Sequence, residues 1–134
     1  MLQQVSIYAE NKKGMFREIT RLLGENDINI LGSVTNDSAE YGIIRMVVSD
    51  PAKTVKVLTD AGIICKTSRV LGIELKDEVG SLDQLLTAML DMNINLDYLY
   101  LSFNRSSGMP VMILHAENVA ELESFLKDRG YTSL

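Results

Sequence analysis

The sequence predicts an α+β fold in which one βαββαβ unit occurs twice in tandem, each unit with an antiparallel sheet and helices on one face. Two observations predict this fold. The chain of 134 residues repeats its pattern at an offset of 66, so that Gly14 corresponds to Gly80. Within each half, the hydrophobic pattern alternates between the period of strands and that of helices. We therefore expect one domain over residues 1–68 and a second over residues 69–134.

The first copy opens with a strand, a turn and a helix. Residues 4–10 alternate between apolar and polar side chains, as expected for a half-buried strand. Gly14 follows in a turn, and apolar residues then recur at helical spacing over residues 16–23, with charged residues between them. Asn26 and Asp27 end this predicted helix.

A hairpin, a second helix and a last strand complete the first copy. The expected strands and connections are residues 28–35, residues 36–42 as the hairpin connection, residues 43–48 as the returning strand, and a fourth strand that begins over residues 63–66. Asp50 followed by Pro51 is typical of an N-cap and the first residue of a helix. Gly62 is typical of the residue after a helix C-terminus.

The second copy repeats this order. Its expected elements are a helix from Ser81, a strand over residues 94–103, a hairpin connection over residues 104–108 and a third strand entered at Pro110. Asn118 and Glu121 have the spacing of a capping box at the start of the second helix. Only four residues follow Gly130, so the last strand must be short or missing. This order is the split βαβ, ferredoxin-like arrangement.

Two of the predicted strands are apolar on both sides of the pleat. Residues 43–48 and residues 96–103 show this pattern, which is expected when both faces of a sheet are covered. Either the two copies cover each other or a second chain does. Because an exposed apolar sheet favours association, we expect a homodimer.

Composition excludes several classes of function. The net charge of −5 argues against a nucleic-acid partner, and the predicted third strands lack the aromatic residues with which RNA-recognition modules stack bases. No apolar run approaches the length of about 18 residues that a membrane helix needs. The start, MLQQVSIYAE, has no secretory-signal pattern, and the single Cys65 cannot form an internal disulfide. We therefore expect a cytoplasmic protein.

The sequence does not predict an enzyme. Its single histidine, His115, has no serine or cysteine nearby in a recognisable nucleophile motif. The chain has no CxxC pair and no other metal-ligand spacing. We expect no catalytic residues, no metal and no cofactor.

The loop ENKKGMF in the first copy is a candidate anion site. Gly14 permits a tight turn, and the helix that follows presents unpaired N–H groups at its positive end. Lys12, Lys13 and Arg17 add positive charge at the same place. A carboxylate could bind there. The alternative is a basic turn that is merely solvated.

The matching loop of the second copy, KDEVGSL, keeps the glycine but carries Asp77 and Glu78, which would repel an anion. If the chain binds a small acid, we expect the first copy to supply the main receptor loop. The second copy is then its structural partner, or a site that recognises an ammonium group instead.

The segment SIYAENKKGMFREITRLLGENDINI and the repeated βαββαβ order resemble an ACT domain pair, a small-molecule regulatory module attached to many amino-acid biosynthetic enzymes. The resemblance covers residues 4–68 and 70–134. With no catalytic domain attached, the chain is similar to the free-standing tandem ACT proteins of bacteria, which are generally described as amino-acid-binding.

The resemblance also implies a site. In that family the ligand lies between paired units, held by the first turn of one unit and the second strand of its partner. The implied ligand-binding positions of the first copy are Asn11, Lys13, Gly14, Met15, Phe16, Asn29, Ile30 and Leu31. Those of the second copy are Asp77, Val79, Gly80, Ser81, Asn95 and Leu96.

Two functions follow from these expectations. The first is a non-enzymatic regulatory or sensor protein, a homodimer that binds an amino acid where two ACT-like units meet and controls an enzyme. The alternative is a protein-interaction module that docks on an enzyme or regulator without binding a ligand. The sequence identifies neither the amino acid, nor the regulated partner, nor the number of occupied sites per chain.

Overall fold

The computed structural model describes residues 1–10, 12–37 and 41–134. The chain forms two compact units. The N-terminal unit comprises Gln3–Ser68, and the C-terminal unit comprises Met1–Leu2 with Arg69–Leu134. Two strands cross the boundary: β4 (Ile64–Glu74) supplies residues to both units, and the first residue of β1 (Leu2–Glu10) belongs to the C-terminal unit.

The N-terminal unit follows the predicted order of elements. These elements are β1 (Leu2–Glu10), α1 (Met15–Glu25), β2 (Ile30–Asp37), β3 (Tyr41–Val48), α2 (Pro51–Asp60) and the beginning of β4. The strands lie in the order β2-β3-β1-β4, and β3 pairs antiparallel with both β1 and β2. The predicted α+β class and the βαββαβ order are confirmed.

Both helices of the N-terminal unit pack on the same face of its sheet. Ile19 and Leu23 from α1 and Leu58 from α2 are at most 1% exposed and share one apolar core. The sheet contributes to that core the buried residues Val5, Ile7, Ala9, Ile44, Met46 and Val48. Burial of this apolar surface is the main force that holds the helices on the sheet.

The predicted signals for α2 are confirmed. The side chain of Asp50 accepts a hydrogen bond of 3.0 Å from the Lys53 N–H, and Pro51 is the first helical residue. After the helix, Gly62 adopts a left-handed φ of 80°, and the Ile63 N–H donates to the Leu58 carbonyl. This is the usual way in which a glycine ends a helix.

The C-terminal unit repeats the arrangement. Its further elements are α3 (Ser81–Met89), β5 (Leu96–Phe103), β6 (Pro110–Ala116), α4 (Val119–Asp128) and β7 (Thr132–Ser133). The strand order β5-β6-β4-β7 matches that of the N-terminal unit. The last strand has two residues, so the prediction of a short strand is confirmed. Asn118 accepts from the Glu121 N–H at 3.0 Å, which confirms the predicted cap of α4.

Some predicted boundaries were wrong. The second strand begins at Ile30 rather than at residue 28, because the Ile28 N–H donates to the Leu23 carbonyl and so belongs to the end of α1. The corresponding strand of the second copy begins at Leu96 rather than at residue 94. The hairpin connection predicted over residues 36–42 is shorter, since β2 reaches Asp37 and β3 begins at Tyr41; residues 38–40 lie outside the described part.

Two apolar residues at the beginning of the first helix of each unit face solvent. Phe16 is 55% exposed and Leu82, its counterpart in the repeat, is 38% exposed. Both lie in the first turn of their helices, α1 and α3, beyond the edge of the buried core. The exposed ring of Phe16 is therefore accessible from the space beside the start of α1.

Candidate functional site

A cleft of about 170 Å³ lies in the N-terminal unit, between the start of α1 and the edge of the sheet. It is bounded by the end of β1, the turn that follows, the first turn of α1 and the neighbouring parts of β2 and β3. The lining residues are Ala9, Glu10, Lys12, Met15, Phe16, Thr35, Asn36, Gly42 and Ile44. The predicted receptor loop therefore forms one wall of a cleft.

The turn between β1 and α1 brings two side chains to this cleft. The Lys12 N–H donates to the Glu10 carbonyl at 2.8 Å, and the Met15 N–H donates to the Lys12 carbonyl at 3.2 Å. Gly14 has a left-handed φ of 87°, a conformation that glycine adopts without steric cost. The chain therefore reverses within a few residues, and Met15 and Phe16 face the sheet edge across the cleft.

Strand pairing builds the opposite wall. Gly42 lies opposite Ala9 in the β1–β3 ladder, and Thr35 lies opposite Ile44 in the β2–β3 ladder. Directly opposite residues of an antiparallel pair point to the same face. Because Gly42 has no side chain, the space above it stays open. A Cβ atom added there would lie 3.5 Å from the Asn36 carbonyl oxygen, an ordinary contact distance.

Opposite charges meet at the cleft. The Lys12 Nζ atom lies 2.6 Å from a Glu10 carboxylate oxygen, and the two side chains are 70% and 51% exposed. The hydrogen bond and the negative charge of Glu10 raise the pKa of Lys12 above its usual value. An ion pair this exposed contributes little to stability, so its partners are available to other charged groups.

A cation in the second half of α1, Arg21, is engaged away from the cleft. Arg21 forms ion pairs with Glu18 and Glu25 along the helix surface. The hydrogen bond with Arg21 lowers the pKa of Glu18, and hydrogen bonds with both carboxylates raise the pKa of Arg21. No side chain within the described residues caps the N-terminus of α1. Its positive end therefore faces the turn and the cleft without a capping side chain.

The structure brings some predicted first-copy residues together at the cleft. Met15 and Phe16 line it, whereas Lys13 and Gly14 lie in the adjoining turn. Asn11, predicted for the same loop, lies outside the described residues.

The other first-copy residues lie elsewhere in the unit. Asn29, Ile30 and Leu31 stand at the start of β2, about 20 Å along the strand from Asn36 at a rise of roughly 3.3 Å per residue. The Asn29 N–H donates to the Ser49 hydroxyl at 2.9 Å. These three residues and the receptor loop thus occupy opposite ends of one sheet.

Sequence reasoning missed most of the remaining lining. Lys12 was predicted as part of the anion site and Glu10 stood within the quoted loop, but the ion pair between them depends on the turn geometry. Gly42 offered a signal, since it corresponds to Gly108 in the repeat. Thr35, Asn36 and Ile44 gave none, because strand pairing alone places them beside α1.

The second copy has the same turn with its charges exchanged. Gly80 has a left-handed φ of 89°, and the Glu78 N–H donates to the Lys76 carbonyl at 2.9 Å, as the Lys12 N–H does to Glu10. At the two positions, Lys76 replaces Glu10 and Glu78 replaces Lys12.

The surroundings of this second turn also differ. Its concave surface is lined by Glu74, Leu75, Lys76, Glu78, Ser81, Gln84 and Tyr131. Among the other predicted second-copy residues, Asp77, Val79 and Gly80 are exposed. Asn95 lines a separate, acidic depression with Asp97 and Glu121, and Leu96 packs against the core of the C-terminal unit.

His115 is engaged in a local contact in the C-terminal unit. Its Nδ1 atom lies 2.8 Å from an Asp97 carboxylate oxygen, and its ring stacks on Tyr98 with centroids 4.9 Å apart. Within the described residues, no group of three or more histidine, cysteine or carboxylate side chains could hold a metal ion. None of the described helices is long and apolar enough to cross a membrane.

Comparison with known proteins extends these observations. The family model described as an ACT domain pair matches residues 1–128. Protein BT0572 from Bacteroides thetaiotaomicron is similar in structure with a TM-score of 0.90 and 28% sequence identity, over 99% of this chain and 91% of that one. No curated protein matches this chain in sequence.

Two further solved structures share the fold at lower identity. The regulatory subunit of aspartate kinase from Thermus thermophilus gives a TM-score of 0.66 at 11% identity, over 94% of this chain and 91% of that one. A structure of aspartokinase alpha and beta subunits gives 0.60 at 15% identity, over 96% of both chains.

Proposed function

Because this chain belongs to the ACT domain family, we propose that it is a non-catalytic regulatory protein that binds an amino acid in the cleft beside α1 of the N-terminal unit. The two solved structures from aspartate kinases, one of them a regulatory subunit, motivate the regulatory role through their shared fold. In this proposal residues 1–68 and residues 69–134 are two ACT-like domains.

One observation carries the proposal: the receptor loop predicted from sequence borders a cleft that has both a positive and a negative side chain. Lys12 and the uncapped N-terminus of α1 favour a carboxylate, and Lys13 adds charge nearby. Glu10 offers an acceptor for an ammonium group. A free amino acid carries both of these groups.

The position of the other predicted residues bears on assembly. Asn29, Ile30 and Leu31 lie at the far end of β2 from the cleft of their own unit. We expect them to contribute to a ligand site through another ACT-like unit, in a homodimer. The second-copy positions do not share one surface within their own unit, so we propose that a second site would also need another ACT-like unit; these positions are Asp77, Val79, Gly80, Ser81, Asn95 and Leu96.

Regulation then follows from ligand linkage. A ligand shifts an equilibrium between two arrangements only by its difference in affinity for them. A ligand at one hundred times its dissociation constant stabilises the state that it binds by about 2.7 kcal/mol. Binding at the cleft would thus favour one arrangement of the regulatory protein on its enzyme.

Calorimetric titration and thermal unfolding with each of the twenty amino acids test this function. We expect heat of binding and a rise in melting temperature of several degrees for at least one of them at millimolar concentration. The absence of both signals for all twenty contradicts the proposal.

The alternative of a protein-interaction module has one observation in its favour. In the C-terminal unit, the region that corresponds to the cleft carries exposed apolar side chains, namely Val79, Leu82, Leu101 and Phe103. Exposed apolar groups of this kind often mark protein interfaces. This alternative predicts that the chain co-purifies with an enzyme or regulator, that Leu101→Glu weakens the association, and that amino acids do not affect it.

A further inference from the structure

From the lining of the cleft beside α1, we infer that its ligand is a zwitterionic amino acid with an apolar side chain of moderate size. Lys12 binds the carboxylate, Glu10 binds the ammonium group, and the side chain lies against Met15, Phe16 and Ile44. This inference rests on the proposed function and specifies the ligand class.

The charges at the cleft match those of a zwitterion. Lys12 and Glu10 lie 2.6 Å apart. The carboxylate and the ammonium group of an α-amino acid are attached to the same carbon atom, so their charges are also close together. An exposed ion pair separates at little cost, and each partner can exchange the other for the opposite charge of the ligand.

The remaining lining determines the side chain. Ala9, Met15, Phe16 and Ile44 are apolar, and the polar residues Thr35 and Asn36 are neutral. Among the described lining residues, charge is confined to the Glu10–Lys12 pair. A second carboxylate or ammonium group on the ligand would lose hydration without gaining a partner, which disfavours charged side chains.

The size of the cleft narrows the class further. Its volume is about 170 Å³. An engineered apolar cavity of roughly 150 Å³ in another protein accommodates benzene. A branched aliphatic or thioether side chain fits this space, whereas an indole ring is larger. Leucine, isoleucine, valine, methionine and phenylalanine are the natural amino acids that meet the requirements of charge, polarity and size.

The C-terminal unit has the same turn, but the residues that line the surface beside it are different. There Lys76 and Glu78 replace Glu10 and Lys12, and the neighbouring concave surface also contains Glu74, Gln84 and Tyr131. The apolar combination of Met15, Phe16 and Ile44 belongs to the N-terminal unit.

The first experiment compares ligands on the full chain by calorimetric titration and by competition with L-leucine. The probes are L-leucine, 4-methylpentanoate, which lacks the ammonium group, 3-methylbutylamine, which lacks the carboxylate, L-aspartate and L-lysine. We expect L-leucine to bind about tenfold or more tightly than each of the others, because it alone satisfies both charges without adding a third.

The second experiment assigns each charge to its residue. Glu10→Gln should weaken L-leucine about tenfold without weakening 4-methylpentanoate, whereas Lys12→Gln should weaken L-leucine about tenfold without weakening 3-methylbutylamine, because each probe keeps its own partner and loses a competitor. Lys53→Gln, an exposed substitution on α2, has the same change of charge as Lys12→Gln; it is the matched control for that variant and should leave all affinities unchanged. Circular dichroism confirms that each variant is folded.

Each outcome separates this inference from the function on which it rests. Tighter binding of L-aspartate or L-lysine than of L-leucine overturns the inference and leaves the proposed function standing. Equal losses for all ligands in both cleft variants overturn the assignment of Glu10 and Lys12. If no amino acid binds, the inference and the proposed function both fail.

Discussion

Gly42 lies directly opposite Ala9 in the antiparallel ladder between β1 and β3, and both residues line the cleft beside α1. The absence of a side chain at Gly42 leaves open the space that Met15 and Phe16 face. A side chain at Gly42 would therefore occupy part of the cleft, although this residue of the returning strand lies well outside the receptor loop in sequence.

Gly42→Val should close the cleft and leave the fold intact. Gly42 does not adopt a left-handed φ, and an added Cβ atom would make only an ordinary contact of 3.5 Å with the Asn36 carbonyl oxygen. Valine is also favoured in strands. We expect amino-acid affinity to fall at least tenfold and the free energy of unfolding to change by less than about 1 kcal/mol. Calorimetric titration and urea unfolding measure the two effects.

Gly24→Ala is the matched control for this substitution. Gly24 is exposed on α1, and a Cβ atom added there would meet no other atom within 4 Å. Alanine should stabilise the helix by up to about 1 kcal/mol and leave ligand binding unchanged. If Gly42→Val binds amino acids as well as the wild-type chain does, the ligand does not occupy this cleft.

Gly14→Ala and Gly80→Ala should each destabilise the protein by about 1–2 kcal/mol, because alanine is strained in the left-handed conformation. A Cβ atom meets nothing within 4 Å at either position, so the cost comes from the backbone rather than from a collision. Urea unfolding measures the loss. We further expect Gly14→Ala, but not Gly80→Ala, to weaken amino-acid binding, and equal effects of the two substitutions on binding would contradict the assignment of the site to the N-terminal unit.

Local signals explain why much of the fold could be predicted from the sequence. The caps at Asp50 and Asn118 involve residues three positions apart, and the stop at Gly62 depends on one backbone conformation. Such signals act within a few residues and are legible in a single sequence. The start of β2 was misplaced because Ile28, an apolar residue that suits a strand, uses its N–H group to end α1.

The cleft could be predicted only in part, because its two walls have different origins. The wall from the turn is continuous in sequence, and Gly14 with the two lysines that precede it indicated this wall. The opposite wall requires the register that sets Thr35 opposite Ile44 and Gly42 opposite Ala9. Register depends on which strands pair, and residues 35–44 alone give no indication that they lie beside the start of α1.

The helix surface of α1 should make stability depend on pH at acidic values. The hydrogen bond from Arg21 lowers the pKa of Glu18 below its ordinary value of 4.5. A carboxyl group whose pKa is lower in the folded state contributes stability above the unfolded value, and this contribution is lost as the pH falls through the folded value. In Arg21→Gln, the urea midpoint should therefore fall less between pH 7 and pH 3 than it does in the wild type.

The pH dependence of the urea midpoint should be reduced rather than abolished in Arg21→Gln, because hydrogen bonding with Ser133 also lowers the pKa of Glu123 in the C-terminal unit. Lys53→Gln serves again as the control, since the charge of Lys53 is exposed on another helix. If the urea midpoint of Arg21→Gln falls as steeply between pH 7 and pH 3 as that of the wild type, the Arg21–Glu18 pair does not contribute to the pH dependence of stability.

Lys12 and Lys13 distinguish the cleft seen in the structure from the site implied by family resemblance. The resemblance selects Lys13, whereas Lys12 lines the cleft and contacts Glu10. Both residues are exposed and adjacent, so replacing either by glutamine changes the net charge of the turn equally. If the ligand carboxylate is attracted only by the general positive charge of the turn, both substitutions should lower the affinity equally. If the carboxylate is hydrogen-bonded to Lys12, the loss of Lys12 should lower the affinity more.

We expect Lys12→Gln to reduce L-leucine affinity about tenfold and Lys13→Gln to reduce it less than threefold at physiological ionic strength. A larger loss for Lys13→Gln, measured by calorimetric titration, would mean that the ligand lies in the turn and not in the cleft.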